Sequence, residues 1–177
     1  PGLKQTPARM AELYAEFFAG VGEDPAAPLA HTISVTRGPA PDTLPSGAVL
    51  LRDIRFRSVC EHHLLPFAGV AHIAYLPGEQ VVGLGALIRV VETLASRPQV
   101  QERLGEQIAD TIAGNLDARG VLVVLDASHG CGTMRGGRQP EAATVTIAAR
   151  DAYADAAARA ELIALIGARP DHGMTAE

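Results

Sequence analysis

Both cysteines of the chain lie beside histidines, in Cys60-Glu61-His62-His63 and in His129-Gly130-Cys131. A Cys-x-x-His spacing lets a thiolate and an imidazole reach one ion, and that donor pair suits zinc. The second cysteine, again close to a histidine, makes a shared site more specific than either segment alone. Three ligands, Cys60, His63 and Cys131, leave one tetrahedral position for water, as in catalytic rather than structural zinc sites. Bound Zn2+ brings the pKa of water from about 15.7 toward 7. His62 and His129 then stand beside the ion without ligating it. Imidazoles titrating near neutrality are suited to moving protons on and off a substrate held there. The simpler readings are two buried thiols with histidines nearby, or a disulfide, which a reducing compartment disfavours. His31, His72 and His172 have no partners in sequence and are assigned no role.

Gln101 and Glu102 fall in the first turn of an expected helix, where the helix dipole favours a carboxylate. A plain N-terminal acid explains Glu102. A carboxylate also pairs well with an N–H/NH2 edge such as guanine presents. Arg89 lies on the polar face of the preceding helix. Arg135 and Arg138 flank a glycine-rich stretch just past Cys131. Arginines in such a loop can hold phosphate, although a solvated turn is the commoner explanation.

The elements that must position these residues follow from periodicity. Thr6-Pro7 opens a helix with Thr6 as cap and Pro7 in its first turn. Met10, Leu13, Tyr14, Phe17 and Phe18 share one face of it, and Gly20 is its expected stop. Residues 21–47, rich in Pro, Gly, Asp and Ala, read as a linker with little regular structure. From Ala48 the period becomes two. Ile54 and Phe56 alternate with Arg55 and Arg57 in a strand reaching Cys60, and residues 68–76 form a second strand. Leu84, Leu87, Ile88, Val91 and Leu94 mark one helix. Leu104, Ile108, Ile112 and Leu116 mark the next, with Gly120 as its stop. Val121–Asp126 and Ala143–Ala149 are further strands, and residues 156–166 a closing helix.

The order after the first helix is β-β-α-α-β-β, which predicts an α+β layer: an antiparallel sheet with helices on one face. The other face has no helix assigned to it, so it meets water or a neighbouring subunit. The 177 residues carry a net charge of −5 and no basic block, and aromatics are 4 % with no Trp, which argues against a nucleic-acid binder. No apolar run approaches the roughly 20 residues that span a bilayer, and residues 1–20 show no signal-peptide core. Two cysteines make no disulfide scaffold, so a cytoplasmic protein without membrane or nucleic-acid partners is expected.

Taken together the sequence resembles the GTP cyclohydrolase I family. The matching stretches are Cys60-Glu61-His62-His63-Leu64-Leu65-Pro66-Phe67, Arg97-Pro98-Gln99-Val100-Gln101-Glu102-Arg103-Leu104, and His129-Gly130-Cys131 with Met134-Arg135-Gly136. Thr6-Pro7-Ala8-Arg9 and Glu16-Phe17-Phe18 resemble the family's first helix. The resemblance implies a tunnelling fold, whose sheets join into an oligomeric barrel, typically a decamer of two pentamers with sites at subunit interfaces. Residues 1–47 would be the N-terminal helix and linker, and 48–177 the catalytic domain. It implies zinc on Cys60, His63 and Cys131, proton handling by His62 and His129, and a guanine edge anchored by Glu102 with Gln101. Arg9, Arg89 and Arg135 would remain for the phosphates. The implied reaction opens the imidazole ring of a guanine nucleotide at C8 and releases formate. In the full family reaction the ribose then rearranges and recloses, giving 7,8-dihydroneopterin triphosphate.

The phosphate end departs from the family pattern. Gly85-Ala86 stand where Ser-Lys is usual, and Glu12 where the first helix usually carries a lysine. One unit charge pair at 4 Å is worth roughly 4 kcal/mol at an effective dielectric of about 20, before desolvation and screening. The triphosphate should therefore be held more weakly, with a less phosphorylated guanine compound or nucleoside as an alternative substrate. Arg55, Arg57 or Arg138 could compensate. The alternative from another class is a silent paralogue that binds a purine or pterin as an assembly or regulatory subunit. A zinc deaminase is disfavoured, because His-x-Glu with a later Pro-Cys-x-x-Cys is missing.

Overall fold

The stretches of period two and period 3.6 fold where their apolar residues place them. The computed structural model describes residues 2–34, 47–135 and 139–168. Its elements are α1 (Thr6–Phe17), β1 (Thr32–Ser34), β2 (Val49–Cys60), β3 (Pro66–Leu76), β4 (Gln80–Val82), α2 (Leu84–Ala95), β5 (Pro98–Gln99), α3 (Gln101–Leu116), β6 (Gly120–His129), the single turn α4 (Gly130–Thr133), β7 (Thr144–Asp151) and α5 (Ala156–Gly167).

Five strands make the main sheet in the order β5-β2-β3-β6-β7. Its long neighbours are antiparallel as expected, but the two-residue β5 runs parallel to the end of β2, so the sheet is mixed at that edge. Helices α2 and α3 cover one face. Leu87, Val90, Val91 and Leu94 bury one stripe, Leu104, Ile108, Ile112 and Leu116 the other, against Ile73, Tyr75, Val121, Val123 and Leu125. The opposite face is not bare, as the pattern suggested. Leu162 of α5 and Tyr153 close a smaller cluster there with Ala74, Leu122 and Val124. Farther along β7, Val145 and Ile147 stay 59 % and 48 % exposed.

Strand β2 carries one extra residue at Arg52-Asp53, opposite the lone His72 of β3. Asp53 adopts φ 61 there, and its N–H donates to His72 Nδ1 at 3.2 Å. Arg52 donates to the Leu165 and Ala168 carbonyls, 2.7 and 2.6 Å away, at the C-terminal end of α5. A cation there meets the negative end of the helix dipole.

Several helix boundaries differ from the pattern. Thr6 is the first residue of α1 rather than its cap, since Gln5 takes that place without a side-chain bond. Gly20 does not end the helix, which stops at Phe17. A Cβ on Gly20 would lie 2.0 Å from the Thr93 carbonyl oxygen, so glycine is required where the chain crosses α2. Helix α3 ends on Asp117 in the left-handed region (φ 46), which a short polar side chain tolerates, and Gly120 already begins β6. The expected linker holds a 3-10 turn at Ala27–Ala30 with Leu29 buried, and β1, which pairs with β4. Residues 35–46 of that linker lie outside the described residues.

Candidate metal centre and its surroundings

One corner of the sheet gathers the ends of β2 and β6 and the starts of β3 and α3. Strand β2 ends on Cys60, and the next residues turn tightly. The Leu64 N–H donates to the Cys60 carbonyl and the Cys60 N–H to that of Leu65, at 2.8 and 2.9 Å, with Leu64 at φ 51. The Glu61 N–H donates to the Gln99 carbonyl at 3.0 Å, so the short β5 pins the loop from one side. Tyr14 of α1 pins it from the other, its hydroxyl donating to the Leu64 carbonyl at 2.7 Å.

Cys131 arrives from the end of β6. The chain leaves His129 and turns at once into α4, passing so close to β3 that a Cβ on Gly130 would meet the Pro66 carbonyl oxygen at 2.7 Å. Only glycine fits, and this close passage sets Cys131 beside Cys60.

The donor atoms of Cys60, His63 and Cys131 all lie within 4.8 Å of one another, with Cys60 Sγ 4.0 Å from His63 Nδ1. Zinc bonds of about 2.0–2.3 Å set tetrahedrally imply donor separations of about 3.5–3.8 Å, so small shifts close these three around one ion. Two sulfurs and an imidazole suit zinc and exclude the all-oxygen shells of magnesium or calcium. Burial, then the neighbouring Cys60, push the Cys131 thiol above its ordinary range, so ligation there displaces a proton.

The flanking histidines differ in surroundings. His62 is exposed, its Nε2 3.7 Å from Glu61 Oε1. Glu61 is in turn ion-paired with Arg103, whose hydrogen bond holds the carboxyl below its usual range. His129 is half-buried, its ring flat on Phe67 with centroids 4.5 Å and planes 5° apart. Burial lowers its pKa, while Glu102 pulls the other way.

Gln101 and Glu102 separate sharply. Glu102 is exposed and lines a cleft of about 240 Å³ with Gly105, Glu106, Thr146, Ile147 and Ala148. Gln101, expected beside it at a guanine edge, is 1 % exposed. Its amide nitrogen donates to the Leu125 and Thr144 carbonyls and to Thr146 Oγ1, and its oxygen meets His129 Nε2 at 2.7 Å. The helix start that presents Glu102 outward turns Gln101 inward, because adjacent helical residues point about 100° apart.

The expected phosphate cations are dispersed. Arg135 is exposed and near enough for its charge to be felt at Cys131. Arg9 donates to Gln5 on α1, and Arg89 is exposed on α2. Arg57 pairs with Glu16, and with Arg55 it lines a cavity of about 530 Å³ beside α2. Arg138 lies outside the described residues. Glu12 and Gly85 are exposed, whereas Ala86 is 6 % exposed within the core. Phe67, Tyr14 and Arg103 shape the corner, although the sequence reading placed Tyr14 only on a helix face and Phe67 and Arg103 only within matching stretches. Phe67 stands directly opposite His129 in the β3–β6 register, which becomes visible only once the pairing is known.

The family model described as GTP cyclohydrolase I matches residues 1–167. A protein named GTP cyclohydrolase 1 from Leifsonia xyli subsp. xyli is 63 % identical over 167 residues, spanning 94 % of this chain and 84 % of its own. One of the same name from Bacillus subtilis is 49 % identical over 164 residues, spanning 92 % and 82 %. Among solved structures, the archaeosine synthase QueF-Like in its apo form aligns with 60 % of this chain and 95 % of its own, at TM-score 0.46 and 15 % identity.

Proposed function

The chain belongs to the GTP cyclohydrolase I family, and on that footing we propose the hydrolysis it performs and the residues that perform it. The reaction is opening of the guanine imidazole ring at C8 with loss of formate, followed by reclosure to 7,8-dihydroneopterin triphosphate. The observation that carries the residue assignment is the meeting of Cys60, His63 and Cys131 at one corner.

Those three residues hold zinc. When bound, it would supply a Lewis acid and lower the pKa of its water toward 7. Glu102 accepts from the N–H/NH2 edge of guanine. His129, stacked on Phe67, exchanges protons with the ring atoms being cleaved. His62, exposed beside Glu61, passes protons between the site and solvent. Arg135, with Arg9 and Arg89 delivered by their helices, attracts the phosphates.

The assembly we propose is the family's barrel, a decamer of two pentamers. Its support is local. The outer edge of β2 before Val59 and that of β7 have no strand partner among the described residues, and such edges invite pairing with another chain. Met10 and Leu13 on α1 are 44 % and 42 % exposed, leaving that apolar face for a neighbour. No described helix is long and apolar enough to cross a membrane.

The test is incubation of the zinc-loaded protein with GTP, GDP, GMP, guanosine and guanine, following formate and, after oxidation, pterin fluorescence. GTP should yield both. Formate without pterin would place the defect at reclosure, near Gly85-Ala86. No formate from any of the five would defeat the proposal.

A further inference from the structure

A neutral imidazole has one nitrogen that donates and one that accepts, and its neighbours decide which is which. The neighbour of His129 Nε2 is the side-chain oxygen of Gln101, 2.7 Å away. The orientation of that amide is not arbitrary. Its other end faces the carbonyls of Leu125 at 3.1 Å and Thr144 at 2.8 Å, which only accept, so the nitrogen must lie there. Thr146 Oγ1 at 3.2 Å is a third acceptor for the same NH2 group. The oxygen is thereby fixed toward His129 as an acceptor, and Nε2 must carry the proton.

We infer that Gln101 is the positioning residue of His129: it holds the imidazole with its proton on Nε2, leaving Nδ1 as the nitrogen that meets the substrate. This rests on the reading of His129 as the proton-handling group. No hydrogen bond to Nδ1 forms among the described residues, whereas Nε2 is tied to Gln101, a side chain 1 % exposed. Phe67 fixes the plane of the ring and Gln101 its rotation within that plane. Gln101 is anchored in turn to two strands, Leu125 in the middle of β6 and Thr144 and Thr146 at the start of β7. Its position in the first turn of α3 puts Glu102 on the cleft and Gln101 behind the histidine. One helix start thus orients both the expected guanine anchor and the expected proton carrier.

A residue that acts through His129 has no further effect once His129 is gone, and a double-mutant cycle reads that directly. In the zinc-loaded protein, Gln101→Met, which keeps shape but removes the acceptor, should lower kcat for GTP by about 10–100-fold and change KM by less than about threefold. In a His129→Ala background the same substitution should change kcat by less than about twofold. An equal drop in both backgrounds overturns the inference, as does a raised KM with kcat intact, which would return Gln101 to the guanine edge. If His129→Ala alone leaves kcat unchanged, the reading of His129 fails instead. If Gln101→Met does not fold, 15N spectra of histidine-labelled, zinc-loaded wild type decide. A protonated, pyrrole-type Nε2 and a bare Nδ1 on His129 are expected, and the reverse tautomer overturns the inference.

Discussion

Tyr14 and Leu64, fifty positions apart, are joined by a 2.7 Å hydrogen bond from the phenol to a carbonyl held in the left-handed region. His63 is the residue before that carbonyl, so the first helix braces the loop bearing two of the three candidate metal donors. Tyr14→Phe removes the bond and little packing. A single net hydrogen bond is worth about 1 kcal/mol, so the melting temperature should fall by roughly 2–4 °C, and zinc affinity by up to about fivefold as the loop loses its preorganisation. Competition against a chromogenic chelator measures it, and an unaltered affinity would show the brace to be idle.

Cys131→Ser should release the metal and abolish formate production together, because Cys131 shares one donor cluster with Cys60 and His63. Removing zinc from the wild type with a chelator should do the same, and adding zinc back should restore the wild type alone. A serine variant that keeps stoichiometric zinc in elemental analysis contradicts the assignment of the third ligand.

The departures from the family pattern at Glu12, Gly85 and Ala86 do not all sit in equivalent surroundings. Glu12 and Gly85 are exposed, so Glu12→Lys with Gly85→Ser should fold normally and lower the KM for GTP by roughly tenfold, about 1.4 kcal/mol. Ala86→Lys is different, since its Cβ packs in the core and the ammonium must reach out along its stem to water. It should cost about 1 kcal/mol or more of stability in urea titrations. An unchanged KM in the first variant would mean that arginines already supply the field.

The far sheet face contains a second titrating group. Burial holds the His72 imidazole below its ordinary range, with Asp53 pulling it up, Arg52 down and Asp126 up. The folded chain therefore favours neutral His72, while the unfolded chain takes a proton near pH 6.5. That contribution to stability is complete above about 6.5 and is lost as the pH falls through the lowered folded value. The urea midpoint should drop on acidification from neutrality, and His72→Gln, which can still accept from the Asp53 N–H, should flatten part of that drop. Identical slopes in the two proteins would remove His72 from the account.

Much of this was legible in residue types and spacing, and the exceptions have physical causes. The stripes of α2 and α3 and the alternation of β2 are local patterns, and the Cys-x-x-His spacing is local too, so both elements and candidate ligands could be read directly. The inward turn of Gln101 could not, because its partners lie on β6 and β7, far along the chain. The same holds for Phe67, whose role depends on strand register. Gly20 read as a helix stop because glycine serves both for chain reversal and for close crossing, and only the approach of Thr93 separates the two. Placement of α5 on the far face rests on Leu162 packing against β3 and β6 and on Arg52, contacts that are all distant along the chain.

The additional residue at Arg52-Asp53 also resets the parity of β2. Before it, odd positions such as Leu51 look toward the helices; after it, even positions such as Ile54 and Phe56 do. The strand is thus two reading frames spliced at one point. Deleting one residue at the splice would merge them into a single regular alternation in which Leu51 still faces the helices and Leu50 still faces α5, but would remove either the grip on α5 or the partner of His72. A deletion scan along β2 should therefore be mildest at the splice and sharpest within either flank, where loss of Leu50 or Arg55 sets Val49 and Leu51, or Ile54 and Phe56, on opposite faces of the sheet.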